Sequence, residues 1–200
     1  MCDIGSSTEQ FRTQEQPWIE EYIFAPARRT GGVVTHVDIK EATGVDIVGD
    51  LLDRQVVASL QGLGFNSVFC SNLLEHVLDP HLITAALTSL VPLGGLLFIS
   101  CPYRFPFHPD PIDTLFRPNP QDLASLFAGT RIERQEIVRG GTYLDFIRQD
   151  PRAFATRAAR SSIGSGRTRT WRSSLTHVPW LFRRFRQTCL VLERTGLRNA

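Results

Sequence analysis

Residues 65–102 constrain the fold more tightly than any other part of the chain. They begin Phe65-Asn66-Ser67-Val68-Phe69-Cys70-Ser71-Asn72-Leu73-Leu74-Glu75-His76-Val77-Leu78-Asp79-Pro80, continue through a helical stretch, and end Leu90-Val91-Pro92-Leu93-Gly94-Gly95-Leu96-Leu97-Phe98-Ile99-Ser100-Cys101-Pro102. The pattern is strand, loop, helix, Gly-Gly turn, strand. Both strands are apolar without alternation, as a parallel sheet covered on both faces requires. Polar residues gather where the first strand ends, at Ser71, Asn72, Glu75 and His76. Open α/β sheets bind ligands beyond the carboxyl ends of their strands. The segment therefore marks a binding rim as well as a fold.

The rest of the chain continues the alternation. Residues 1–7 read as the end of a strand entering a tight turn, and 33–38, 46–50, 131–138 and 187–193 as further strands. Residues 56–63, 80–90, 120–127 and 143–159 read as helices, and 8–24 as partly helical with a break at Pro17. Residues 161–169 form a Gly/Ser/Arg linker. Such alternation predicts a parallel sheet with right-handed crossovers. Two hundred residues make one domain with a single core. No run approaches the ~20 apolar residues of a membrane span, and the N-terminus does not read as a signal peptide. The four cysteines, Cys2, Cys70, Cys101 and Cys189, lack pairing or metal spacing and read as reduced thiols in a cytoplasmic setting. The formal charge of +2 hides a polarity: residues 151–200 hold eleven arginines and one acid, Glu193.

The segment 65–100 resembles class I S-adenosylmethionine-dependent methyltransferases of the type-11 kind, which carry Glu-His-Val-x-Asp-Pro after a strand and Pro-Gly-Gly before the next. Departures are Leu93 in place of the proline and Asn66 in place of an aspartate. The resemblance implies a Rossmann-like α/β sandwich, with a mostly parallel sheet and an antiparallel C-terminal edge. It implies a cofactor-binding core over residues 1–138, a basic insertion or lid over 139–186, and a final strand over 187–195. The cofactor would be S-adenosyl-L-methionine. Asp3-Ile4-Gly5 resembles the start of the family's glycine motif, with Ser6 and Ser7 where the motif continues to further glycines. Serine suits that turn only where φ is negative. Asp38 falls at the next strand end, where the fold uses an acid for ribose hydroxyls, although 33 residues separate it from Gly5 instead of the usual ~20. Asp50 and Leu51 match the element that flanks adenine, with a helix N-cap by Asp50 or Asp53 as the alternative. Asn72 would sit beside the sulfonium. Glu75 and His76 are more often structural in the family. Only four residues precede Gly5, and the family's preceding helix is absent, so the expectation is an upstream start or a reduced domain.

The most distinctive piece is the proline-rich stretch 102–120, on the same rim. Its prolines and aromatics make a rigid, apolar-walled loop, and His108, Asp110, Asp113 and Arg117 are many polar groups for a connector. One reading is a substrate pocket with His108 as general base and Asp110 or Asp113 as the next candidates. The other is a rigid loop in which Asp113 pairs with Arg117 and His108 caps a carbonyl. A metal held by His108, Asp110, Asp113 and His76 matches no recognised ligand spacing, and none is assigned. Residues 175–186 mix apolar anchors with arginines and suit a lid in which Leu181, Phe182 and Phe185 pack inward, or a face for an anionic surface or acidic partner. No nucleic-acid recognition motif is present. The expected reaction is methyl transfer to a small or medium acceptor. The alternative is a non-catalytic binding module with a basic C-terminal face. A nicotinamide-dependent oxidoreductase is disfavoured by the absence of Gly-x-Gly-x-x-Gly.

Overall fold

Seven strands form one sheet in the order β3–β2–β1–β4–β5–β7–β6 in the computed structural model, which describes residues 1–108, 112–149 and 178–196. β1 (Cys2–Ile4), β2 (Thr35–Asp38), β3 (Ile47–Val48), β4 (Ser67–Ser71) and β5 (Leu96–Arg104) run parallel. β7 (Arg186–Arg194) runs antiparallel to β5 and to the edge strand β6 (Thr130–Arg139). The expected mostly parallel sheet with an antiparallel C-terminal edge is thus present.

Register shows why the apolar runs form this sheet. Cys2, Val68, Leu97 and Leu192 stand side by side across β1, β4, β5 and β7 and are fully buried. Two residues on, Ile4, Cys70, Ile99 and Leu190 repeat the row on the same face, because side chains alternate along a strand. Each such aliphatic side chain contributes about 1.5–3 kcal/mol by leaving water. On the other face Phe24 packs edge-on against Phe69 at 5.7 Å and His36 at 5.0 Å. The four cysteines are free.

The helices begin where local capping allows. After an N-terminal run of π turns (Phe11–Glu15, Glu20–Phe24), α1 (Pro17–Ile19) and α2 (Ala25–Arg29), α3 (Arg54–Gly62) is capped by Asp53, which accepts the Gln55 N–H at 2.8 Å. Asp79 caps α4 (Pro80–Ser89) and Asn119 caps α5 (Pro120–Ser125), each with proline at the first helical position, where no donor is wasted. α6 (Tyr143–Gln149) is the described part of the helix expected over 143–159. The expected linker 161–169 and most of the Arg-rich segment lie outside the described residues. Of the apolar anchors expected to pack inward, Phe185 does, against Phe105 at 4.9 Å and Tyr143 at 5.0 Å. Phe182 instead faces solvent. No described helix is long and apolar enough to cross a membrane.

β1 has β2 on one side and β4 on the other, so the chain order reverses at β1/β4. Sheets of this kind bind ligands at the carboxyl ends of the strands beside such a switch point. Gly5, Ser6, Asp50, Leu51 and Asn72 follow the carboxyl ends of β1, β3 and β4, whereas Asp3 lies within β1 and Asp38 is the last residue of β2.

Candidate functional site

The turn after β1 is bonded to β2 by its backbone. Gly5, at φ 73°, donates its N–H to the Val37 carbonyl at 2.9 Å, and Ser6 donates to the same oxygen at 3.2 Å. Ser7 donates to Asp38 Oδ2 at 2.8 Å, and Lys40 donates to Asp38 Oδ1 at 3.0 Å. The glycine turn and the strand-end acid are therefore one unit despite their separation in sequence. A carboxylate offers about four acceptor sites, so Asp38 retains capacity for further donors. Ser7 departs from the expectation of negative φ: it sits at φ 56°, in the left-handed region that serine disfavours. Replacing Ser7 with glycine should relieve that strain and raise the unfolding free energy by about 0.5–1 kcal/mol, read as a higher urea midpoint. A lower midpoint would show that the Ser7 side chain stabilises the turn.

Beneath the turn lies a buried arginine that sequence reasoning missed. Arg12, 4% exposed, donates to the carbonyls of Ser6 (2.8 Å), Ser7 (2.8 Å) and Gly44 (2.6 Å). Burial lowers the pKa of its guanidinium, and nearby Asp3 and Asp46 oppose that. Asp3 is 3% exposed and lies 2.7 Å from His36 Nδ1. Arg28, which can only donate, meets His36 Nε2 at 3.0 Å, leaving Nδ1 as the donor to Asp3. Burial pushes the Asp3 carboxyl upward, against that hydrogen bond. Asp3 thus braces β1 to β2 from inside.

After β3, Asp50 accepts the Leu52 N–H at 2.9 Å and shapes the turn, while the neighbouring Leu51 is buried. Asn72 follows β4 at φ 54°, its N–H donating to the Ser100 carbonyl at 3.0 Å. Its side-chain oxygen is held by Gln187 of β7, a partner no local pattern indicates.

No family model matches the sequence, and no curated protein matches it. Solved structures do. A protein from Galdieria sulphuraria assigned as a sarcosine dimethylglycine methyltransferase superposes with a TM-score of 0.57 at 12% identity, covering 97% of this chain and 76% of the other. The [4+2]-cyclase SpnF superposes at 0.54 with 13% identity, over 98% and 75% of the two chains. Phosphoethanolamine N-methyltransferase 2 from Haemonchus contortus, solved with S-adenosyl-L-methionine, superposes at 0.52 with 15% identity, over 98% of this chain and 48% of that one. This chain has the class I methyltransferase fold. That a cyclase and methyltransferases share the likeness shows that the fold alone does not choose the reaction.

The loop after β5 packs against the turn after β4, where Thr114 donates to the Glu75 carbonyl. A bulge near Pro102, where the ladder lacks a donor, turns the chain outward. Asp113 has a side chain shut off from solvent and accepts from Arg117 Nη2 at 2.7 Å, Arg117 Nη1 at 3.1 Å, the His108 N–H at 2.9 Å and the Leu115 N–H at 2.8 Å. Burial alone would raise its carboxyl, but these donors outweigh burial and hold it at about 2. His108 Nδ1 lies 3.1 Å from the Pro106 carbonyl. Both contacts of the rigid-loop reading are therefore made. Asp110 lies outside the described residues. The loop brings His108 against a residue set aside as structural, Glu75, which is fully buried; its Oε1 is 3.9 Å from His108 Nε2 and 3.8 Å from His76 Nε2. Burial pushes the Glu75 carboxyl upward and lowers the pKa of His108. Only the spacing of Glu75 and His76 at a strand end hinted at this meeting, because His108 arrives from a different loop.

Proposed function

We propose that the chain is an S-adenosylmethionine-dependent methyltransferase acting on a small or medium acceptor. The observation that carries this reading is the union of the Gly5–Ser7 turn with Asp38 at the switch point. When bound, S-adenosylmethionine supplies an electrophilic methyl group for in-line displacement. The residues present suit it. Gly5 keeps the turn close to the sheet, Asp38 has lone pairs for two ribose hydroxyls, and Asp50 and Leu51 flank the adenine side. Asn72 borders the reacting end and is held still by Gln187. Asp3 and Arg12 brace the turn without touching ligand. The chain's main contribution is alignment and exclusion of water. For a hydroxyl acceptor, His108 takes the proton at Nε2, since its Nδ1 faces a carbonyl and a carboxylate. Asp113 positions His108 through its backbone N–H and is too well satisfied to act as the base.

The test is a calorimetric titration with S-adenosylmethionine and S-adenosylhomocysteine. Asp38→Ala should weaken binding by about 100-fold or more, through loss of charge-assisted hydrogen bonds to the ribose. No binding to the unaltered chain at millimolar ligand would leave the non-catalytic module as the surviving reading, which the serine at the strained Ser7 position favours.

A further inference from the structure

Glu75, His76 and His108 present three ligand atoms that all lie within 4.8 Å of one another. Among the described residues, Glu75 Oε1 is one of two buried side-chain polar atoms without a hydrogen-bond partner, the other being Arg117 Nε. Leaving a carboxylate oxygen both buried and unpartnered is costly, and folded proteins seldom tolerate it without a reason. The other carboxylate oxygen, Oε2, accepts only a weak bond from the Cys101 thiol at 3.7 Å.

The two imidazoles are set for the same point. His76 Nδ1 meets the Ile112 carbonyl, and His108 Nδ1 lies between the Pro106 carbonyl and Asp113 Oδ2, at 3.1 Å and 3.2 Å. Those partners only accept, so in each neutral ring the proton is on Nδ1 and the lone pair is on Nε2. This is the outer hydrogen bonding that orients metal-bound histidines. Three atoms that carry lone pairs thus lie close together, and the separations of 3.8 Å and 3.9 Å from Oε1 are too long for a hydrogen bond. Ligands at about 2.0–2.2 Å around one ion stand roughly 3.3 Å apart, so modest side-chain rotation closes the set.

We infer that Glu75, His76 and His108 form a site for one first-row divalent transition-metal ion, of the two-histidine, one-carboxylate type with an open coordination position. Imidazole and carboxylate together suit Zn²⁺, Fe²⁺ or Mn²⁺ better than Mg²⁺ or Ca²⁺. Glu75 is seated on the turn after β4, and Thr114 clamps the loop to it by donating its N–H (2.9 Å) and hydroxyl (3.0 Å) to the Glu75 carbonyl. The site is therefore built from two rim loops held together. Its catalytic consequence, unlike the site itself, rests on the methyltransferase reading. A bound ion would offer its open position to a hydroxyl acceptor and lower that hydroxyl's pKa so that its proton leaves to solvent, and His108 would then serve as ligand in place of base.

The test uses the full chain stripped with a chelator and titrated with Co²⁺, followed by its visible ligand-field bands, with Zn²⁺ in competition. The expected result is one Co²⁺ per chain, displaced by Zn²⁺. Glu75→Gln and His108→Ala should each weaken binding at least about 100-fold, since even outer-shell changes cost roughly 10–100-fold. His81→Ala, on the exposed start of α4, should leave binding unchanged. Metal-free Glu75→Gln should melt no lower than the parent, because it removes an uncompensated buried charge. Absence of Co²⁺ binding, or binding that survives both ligand variants, overturns the inference. S-adenosylhomocysteine titrated in parallel separates the two claims: binding of the nucleoside without Co²⁺ sinks only the metal site, and Co²⁺ without the nucleoside sinks only the methyltransferase reading.

Discussion

Arg12→Ala is expected to lower the melting temperature by roughly 6–12 °C, and to weaken S-adenosylhomocysteine binding about 100-fold at temperatures where the variant is still folded. The guanidinium is buried and joins three carbonyls, those of Ser6, Ser7 and Gly44. Removing it opens a cavity and strands buried acceptors, a loss of about 3 kcal/mol. It also frees the turn that presents the Ser7 N–H to Asp38. Arg12→Lys should rescue little, because one ammonium cannot span carbonyls that a planar fork reaches from two nitrogens. Gly44 tests the same joint from the other side. It sits at φ 83°, and a Cβ there would lie 2.5 Å from Glu9 Cβ and 2.9 Å from Arg12 Nη2, so Gly44→Ala should show the same paired losses. A variant that melts lower but binds the nucleoside unchanged would show that Arg12 stabilises the fold without shaping the turn.

The second large effect concerns the loop after β5. Asp113→Asn should cost about 3 kcal/mol at neutral pH, the usual penalty for breaking a buried, hydrogen-bonded pair. Asparagine offers one acceptor oxygen where the carboxylate serves both Arg117 nitrogens and two backbone N–H groups. One of those groups belongs to Leu115, held at φ 59°, so the loop also loses the bond that fixes its least favourable residue. The pH dependence has a definite sign. The folded carboxyl is held down at about 2, below its ordinary 3.8. Its stabilisation is therefore fully present above the ordinary value and disappears as pH falls through about 2. Urea midpoints of parent and Asp113→Asn should differ by a constant amount from pH 7 to 5 and converge below about pH 4. A gap that stays constant into strong acid, or opens only at alkaline pH, would mean that the charge of Asp113 is not what holds the loop.

Much of the architecture was legible because it depends on neighbours in sequence. The apolar runs at 68–71 and 96–100 can be buried only between two covered faces, which makes them inner parallel strands. Asp79-Pro80 and Asn119-Pro120 start helices through bonds that reach only two or three residues ahead. Strand ends bear the rim residues, so the alternation of strands and helices is enough to set Gly5, Asp38, Asp50 and Asn72 at the carboxyl ends of neighbouring strands. Two details were not legible locally. The choice of Asp53 over Asp50 as the cap, and the positive φ of Ser7, depend on how the turns dock against the sheet.

What only the tertiary structure decided is how distant side chains converge. Arg12 finds Gly44, His108 finds Glu75, and Gln187 finds Asn72, the last pair 115 residues apart. Such contacts leave no periodic trace, because a hydrogen bond or ligand set is specified by where lone pairs and protons lie in space. The sequence determined the sheet, its helices and the rim. Packing determined which polar groups on that rim are satisfied, and that Glu75 Oε1 is left facing two imidazole nitrogens.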